Sequence, residues 1–437
     1  MQKILQLIFI SVFLMITACV QRKDTSEQLS WSAYSYAKYD KFRKSQSKLF
    51  EKHWLDETGE KITIDYHPIP SKSFDEKILT MLAGGKAPDI YVVQNVSKYV
   101  QKDAIVDLTP FINEDKEYFA KFAPQVMEAV EYKGRYYTLP GNLNVANVLY
   151  YNKKIFDLMS IPVPDHSLTF QQLRNLVKKL TLRSPDGQIK HYGLVVSWPW
   201  EIRLALNGVK IFSKDNKKCL VNTAAARKVL DYWRKVANKD GSSPTQEKMS
   251  SEFGGSWASG KYFTQGKAAI YLGHSWEVAT FIINKSQIEW DMFPCPHWQG
   301  QPQRSYLDYL PLAVNNKTAD KEKAFALLKF MTRPKYMRFL IKAGDCIPLR
   351  KEGIAWQYYQ NTSSRPEKSK KVLIDAVEIS CGDPRSIVMH PDIPMGRTRT
   401  TISEVVTKFM MNEKMSSEKA LLELEKKLNK LIRDYKK

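Results

Sequence analysis

Cysteine is scarce in this chain, with five in 437 residues. That density excludes a scaffold stapled by disulfides, which packs several bridges into a short chain. Beyond Cys19 there are Cys219, Cys295, Cys346 and Cys381. These four can pair in three ways or stay as buried thiols, and their wide spacing fits no zinc pattern. Catalytic signatures are also missing: the chain has no HExxH, no GxSxG and no GxGxxG. Gly260 to Lys267 is one residue too long for a phosphate-binding loop, and Ala268 stands where a magnesium-binding hydroxyl is needed. His53, His67, His166, His191, His274, His297 and His390 show no metal-ligand spacing. No cofactor or metal is therefore expected. Paired carboxylates among the 46 acids need no motif, so an enzyme stays open without positive evidence.

Long apolar runs are absent beyond the first twenty residues. Ile4 to Ile16 is almost wholly apolar behind Lys3. As a helix it spans about 20 Å, short of a hydrocarbon core of about 30 Å. That is the shape of a signal-peptide core rather than a membrane span. Ile16-Thr17-Ala18-Cys19 follows and resembles a bacterial lipobox, where cleavage precedes the Cys and lipid is joined to it. The expectation is a signal peptide over 1–18, lipidation at Cys19 and a polar tether over 19–28. Several acyl chains on one residue give stable anchoring where a single chain does not.

Acidic residues are in deficit: 46 Asp and Glu stand against 67 Lys and Arg, a formal charge of +21. The basic residues are scattered, as at Lys41 to Lys44 and Lys368 to Lys371. Scatter of this kind is a solvated face rather than a nucleic-acid surface, and no nucleic-acid partner is expected. Composition is otherwise globular, with 43% hydrophobic, 26% charged and a rich 12% aromatic.

Strand-like and helix-like segments alternate. Leu29 to Tyr34 reads as a first strand, and the stripe from Phe42 to Trp54 as a helix stopped at Thr58-Gly59. Lys61 to Tyr66 alternates as a strand ending before Pro68. Phe74, Ile78, Met81 and Leu82 form a helical stripe closed by Gly84-Gly85. Asp89 to Val93 suits a buried parallel strand. Thr169 to Gln172 is a capping box, and Asn222 is placed to cap a helix carrying Val229, Leu230, Trp233 and Val236. Strands follow at Lys267 to Leu272 and Leu310 to Val314. Helices follow from Ala324 to Met331 and from Ser417 to Tyr435. The fold class is α/β, with helices covering a sheet. No repeat, low-complexity tract or linker divides it.

The order of motifs resembles the extracellular solute-binding proteins of bacterial ABC importers, in the carbohydrate-binding family that includes maltose-binding protein. Thr58-Gly-Glu-Lys-Ile-Thr-Ile64 is similar to "TGIKVxV", and Leu79 to Ile90 to "ALASGxAPDV". Tyr132 to Pro140 with Leu149 to Phe156 is similar to "YxGKxYGLP…LxYNKDLF". Phe263 to Ile270 with Gly273 to Glu277 is similar to "FxxGKAAM…GSW". The likeness runs from about residue 29 to the end. It departs where Tyr306-Leu-Asp-Tyr309 replaces the usual Gly-Gly, and at His274.

The resemblance implies a two-lobe periplasmic-binding-protein fold with a ligand cleft between lobes and crossover hinge strands near Tyr150, Leu310 and residue 375. The first lobe would comprise 29–150 and 311–375, the second 151–310 and 376–437. A sugar needs flat aromatics for its C–H face and polar side chains for its hydroxyls. The candidates are Trp198, Trp200, Trp276 and Tyr36 with Gln94, Asn142, Asn144, Glu277 and Asp308. Arg397 and Arg399 would suit an acidic or sulfated sugar. The implied function is a lipid-anchored, monomeric, extracytoplasmic receptor without enzymatic activity. It would deliver a carbohydrate to separate ABC permease subunits. A secreted glycosidase or lyase, or a sugar-sensing module, is the alternative.

Overall fold

The computed structural model describes residues 27–35, 37–197, 199–253, 260–283, 286, 288–363, 365–380, 390 and 392–435. The leader, Cys19, the tether up to residue 26, Tyr36, Trp198 and Cys381 lie outside them. The chain divides into two compact units, one ending at Ile90 and the other beginning at Tyr91.

In the first unit, strand β1 (Glu27–Ser35) pairs in parallel with β2 (Ile62–Pro70) through helix α1 (Ala37–Thr58). Gly59 ends α1 at φ +73°, a left-handed conformation that glycine adopts without a Cβ penalty. Leu29, Trp31 and Ala33 alternate into the core, and Ile62, Ile64 and Tyr66 face inward beside them. Trp31 donates its indole N–H to Ser47 and packs on Tyr66 at 4.6 Å. Helix α2 (Phe74–Ala83) buries Phe74 and Ile78. One expectation is corrected here. β2 does not stop before Pro68 but continues through it to Pro70, paired with Ala33 to Ser35. Proline removes a donor, and an edge strand such as β2 has an unpaired side where that loss is tolerated.

β3 (Ile90–Val92) carries the chain across the division, and Val93 N–H then donates to the Pro311 carbonyl inside the second unit. That unit is organised by β4 (Leu139–Asn152), a 14-residue strand. Helix α3 (Phe170–Lys179) begins with the expected capping box, Thr169 and Gln172 each satisfying the other's backbone N–H. β5 (Ile189–Val196) follows, then α4 (Trp200–Leu206) and α5 (Ala224–Arg234). β6 (Ala268–His274), buried along its whole length, precedes α6 (Glu277–Ile283) and β7 (Trp290–Phe293). β8 (Tyr306–Val314), α7 (Lys321–Phe330), α8 (Pro334–Ala343), α9 (Glu367–Glu378), α10 (Met395–Met411) and α11 (Ser417–Asp434) complete it.

The strand order β8-β4-β6-β5 places β4 between two antiparallel partners, and β7 also pairs with it. β5 and β6 are parallel and covered, which explains their unbroken apolar runs. Gly193 in β5 lies against α3, where a Cβ would come within 1.9 Å of the Val177 carbonyl oxygen. Only glycine lets backbone and helix approach this closely.

The cap of α5 differs from expectation. Thr223, not Asn222, is the cap: its backbone is extended and its hydroxyl accepts from Ala226 N–H. Asn222 is one position too early; it donates to Glu425 and accepts from Arg227. Cys219, Cys295 and Cys346 are free buried thiols, and burial raises the pKa of each.

Arg174 on α3 grips Asp240 through two N–H···O bonds, at 2.5 and 2.9 Å, with the carboxylate side chain 3% exposed. That grip holds the Asp240 carboxyl below its ordinary range. A depressed carboxyl adds stability above its unfolded pKa and loses it as pH falls through its folded one. Asp240→Asn is expected to cost about 2 kcal/mol at pH 7 by breaking a largely buried pair. Urea denaturation at pH 7, 5 and 3 checks this, because the gap from wild type should narrow as pH falls below about 4.

Candidate functional site

β4 changes partners at Ala146, which pairs with both Tyr306 of β8 and His274 of β6. Strand side chains are near one another where three strands meet, and five of the sequence candidates gather there. Asn142 and Asn144 sit on β4, with Asn144 opposite Asp308 of β8. Trp276 and Glu277 follow the end of β6 and open α6.

The polar groups are tied to one another. Asn144, 2% exposed, donates to the Asp345 carbonyl at 3.0 Å and accepts from Ser275 Oγ at 2.7 Å. Ser275 Oγ in turn accepts from Val145 N–H at 3.0 Å, and Ser275 N–H returns a bond to the Val145 carbonyl. Asn142 donates to Asp345 Oδ2 at 3.3 Å and accepts from Leu310 N–H at 2.9 Å. Leu143 closes the same corner, with its carbonyl accepting from Ile347 N–H at 2.7 Å. Both asparagines therefore fix the strand junction. Loop 344–346, after α8, is locked onto β4.

Asp308, Trp276 and His274 form a second layer. His274 Nδ1 lies 3.2 Å from Asp308 Oδ2, with the Asp308 side chain 39% exposed. The His274 ring stacks on Trp276 at 5.5 Å, interplanar angle 25°. The buried imidazole thus orients a half-buried indole on one side and a solvent-facing carboxylate on the other. Glu277 is buried and accepts from Tyr271 O–H at 2.5 Å. Burial, then the nearby Glu277 charge, raises the Tyr271 pKa far above its usual value. Tyr150 stacks on Tyr271 at 5.8 Å and donates to the His274 carbonyl at 2.7 Å, fixing the end of β6 from below.

The other candidates lie elsewhere in the unit. Gln94 is half-buried and follows Val93, which is bonded to β8 at Pro311. Trp200 does not end a strand; it starts α4 and is 8% exposed, with the Arg203 guanidinium 4.3 Å above its ring. Arg203 also lies 5.0 Å from the Trp233 ring, and burial lowers its pKa to about 9. Trp200 packs in a buried cluster that holds helix residues such as Leu204 and Trp233 together with strand residues such as Leu272 and Tyr306. Arg397 is exposed on α10, while its neighbour Arg399 is ion-paired with Glu201 of α4. Tyr36 and Trp198 fall outside the described residues.

Ser275 and Asp345 were not singled out from the sequence. Ser275 stands between the quoted Trp276 and His274 and was within reach, but Asp345 is 201 residues from Asn144 and carries no local signal. Among the described residues no cluster of three or more His, Cys, Asp or Glu is arranged to hold a metal ion. No described helix is long and apolar enough to cross a membrane.

With this geometry in hand, likeness to known proteins becomes informative. Residues 38–338 match the bacterial extracellular solute-binding proteins, and the chain belongs to that family. The maltotriose-binding protein of Pyrococcus abyssi is 29% identical over 120 residues, 27% of this chain and 23% of that protein. An uncharacterised ABC transporter extracellular-binding protein of Pyrococcus horikoshii is 24% identical over 233 residues, 50% of this chain and 49% of that one. The chain thus spans about a quarter to a half of the length of these curated relatives. A structure of an ABC substrate-binding protein from Listeria monocytogenes, in complex with cycloalternan, superposes with a TM-score of 0.75 at 21% identity. It covers 92% of this chain and 98% of that chain. The fold is therefore the two-lobe α/β fold of periplasmic binding proteins. These relatives are binding proteins, not enzymes.

Asn144→Ala removes the link from β4 to both Ser275 and the Asp345 carbonyl. It leaves a buried carbonyl and hydroxyl without their partner, at an expected cost of about 2–3 kcal/mol. Thermal and urea unfolding check this; a change below about 0.5 kcal/mol would mean that the junction does not rest on Asn144.

Proposed function

We propose that this chain is an extracytoplasmic receptor that captures a carbohydrate, an oligosaccharide by preference, and delivers it to ABC permease subunits. The observation that carries the reading is the layer of Trp276, His274 and Asp308 mounted on the β4 junction. Trp276 offers a flat apolar face for the C–H face of a sugar ring, and Asp308 accepts hydroxyl protons from its rim. Gln94 supplies a donor and an acceptor from the strand end beside β8. Asn142, Asn144 and Glu277 hold this platform, so that little ordering is left to the moment of binding. The relative from Pyrococcus abyssi is named for maltotriose and the structure from Listeria monocytogenes holds cycloalternan, which supports an oligosaccharide here.

The lobes are proposed as 29–150 with 311–375 and 151–310 with 376–437. β4 and β8 would be the crossovers, and hinge closure around the ligand the signal read by the transporter. A micromolar Kd is worth about −8.2 kcal/mol, within reach of two stacked rings and several charge-assisted hydrogen bonds. The protein performs no reaction in this reading and acts as a monomer. An acidic sugar would have to rely on Arg397, since Arg399 is already paired with Glu201.

The test is calorimetric titration with malto-oligosaccharides, other neutral glycans and uronates, with the ligand recovered for mass analysis. Binding of an intact glycan is expected, and Trp276→Ala should weaken it by about 2 kcal/mol, roughly thirtyfold. Turnover of the glycan would favour a carbohydrate-active enzyme instead. Lipidation at Cys19 predicts that labelled palmitate is incorporated into the exported chain and that Cys19→Ser loses the label; an unlabelled wild type contradicts it.

A further inference from the structure

Asn95 comes one residue after Gln94, beyond the end of β3, and caps the short helix Val96–Gln101. Its side-chain oxygen accepts from Lys98 N–H at 3.3 Å. Its amide has a second task. Nδ2 donates to the backbone carbonyl of His390 at 3.0 Å, across 295 positions of sequence. One short side chain thus spends its acceptor on its own helix and its donor on a remote segment. The helix itself is well held: Ser97 accepts from Tyr132 O–H at 2.9 Å, and Tyr99 is fully buried.

His390 is anchored on its other side. Its buried ring meets Phe212 edge to face at 5.2 Å. Nδ1 accepts from Asp392 N–H at 3.2 Å, so the ring proton is assigned to Nε2, which donates to the Asn216 carbonyl at 2.7 Å. Asn216 sits in a turn over 213–218, closed where Ser213 N–H donates to the Lys218 carbonyl at 2.9 Å. Cys219, just after that turn, donates its N–H to Asn429 of α11 at 2.9 Å. His390 is therefore tied by its ring to 212–216 and by its carbonyl to Asn95.

We propose that the Asn95–His390 bond is a latch between the two lobes, with Asn95 and His390 as positioning residues rather than ligand contacts. The latch presupposes the lobes proposed above: Asn95 falls in the first, His390 and the 213–218 turn in the second. The bond lies apart from β4 and β8, the proposed crossovers. A contact off the hinge strands between two bodies that turn about them has to break when the bodies part. It stands beside Gln94 and five residues before Met395, where α10 begins with Arg397 close behind. A bond made in the closed state alone slows opening, so its loss is read as faster ligand release.

Asn95→Asp is the clean variant. Aspartate caps a helix as well as asparagine does, so Val96–Gln101 keeps its cap while the latch donor becomes an acceptor facing a carbonyl. His390→Phe is the second variant; it keeps an aromatic ring against Phe212 and deletes the proton given to Asn216. The measurement is the distance between spin labels on Lys102→Cys and Lys214→Cys, both exposed, by pulsed electron resonance on the full chain. Cys219, Cys295 and Cys346 are buried, and Cys19→Ser with Cys381→Ser removes the other thiols. Each latch variant is expected to lengthen and broaden the distance distribution. The two together should do no more than the larger alone, because they cut one link. A distribution unchanged by Asn95→Asp, or additive effects of the pair, would overturn the latch. With a bound malto-oligosaccharide, stopped flow should show release about fivefold faster in Asn95→Asp and association little changed. Equal release rates would also overturn it. Failure of any glycan to bind strikes the sugar reading instead, and the label distances then judge the latch without a ligand.

Discussion

The structure depends on one strand being held from three sides. β4 pairs with β8 along its first half and with β6 and β7 along its second, and the change of partner falls at Ala146. The β6 ladder reaches back only to Ala146, so the preceding residues of β4 are paired with β8 alone. Side chains supply what the ladder lacks. Asn144 bonds both the Asp345 carbonyl and Ser275 Oγ, and Ser275 bonds the backbone of Val145 in both directions. Buried networks of this kind are rigid when every member is satisfied.

The proposed function draws on that rigidity. The end of β6 is pinned above by Ser275 and below by Tyr150, so His274 has little freedom. A fixed imidazole can then orient Trp276 on one side and Asp308 on the other. In the proposed site, the groups that would face a sugar inherit their positions from residues that need not touch it. Asn142 and Asn144 were expected as ligand contacts from the motif order. Their side chains are occupied in holding the junction, which makes them positioning residues in the proposed site.

Local signals in the sequence were legible and distant ones were not. The capping box at Thr169, the glycine stop after Thr58 and the apolar run of β6 are written in a few consecutive residues. The cap at Thr223 and the passage of β2 through Pro68 were misjudged by a residue or a few. A cap depends on backbone angles, and a strand's tolerance of proline depends on whether it is an edge. At the proposed site, the motif resemblance pointed to Trp276 and Glu277, while Asp308 lies where the motif departs from the family pattern. The resemblance offered nothing about Asp345, whose partner Asn144 lies 201 residues away. Trp200, a stacking candidate in the sequence because it follows a strand, opens a helix with the Arg203 guanidinium over its ring.

The central claim is that a carbohydrate binds on the β4 junction. Hydrogen–deuterium exchange with and without a saturating oligosaccharide tests it most directly, because backbone protection reports where ordering occurs. The account predicts added protection in peptides carrying Gln94, residues 142–146, 274–277 and 308, with α11 unchanged. Protection confined to other segments, with those peptides unaltered by a ligand shown to be bound, would contradict it.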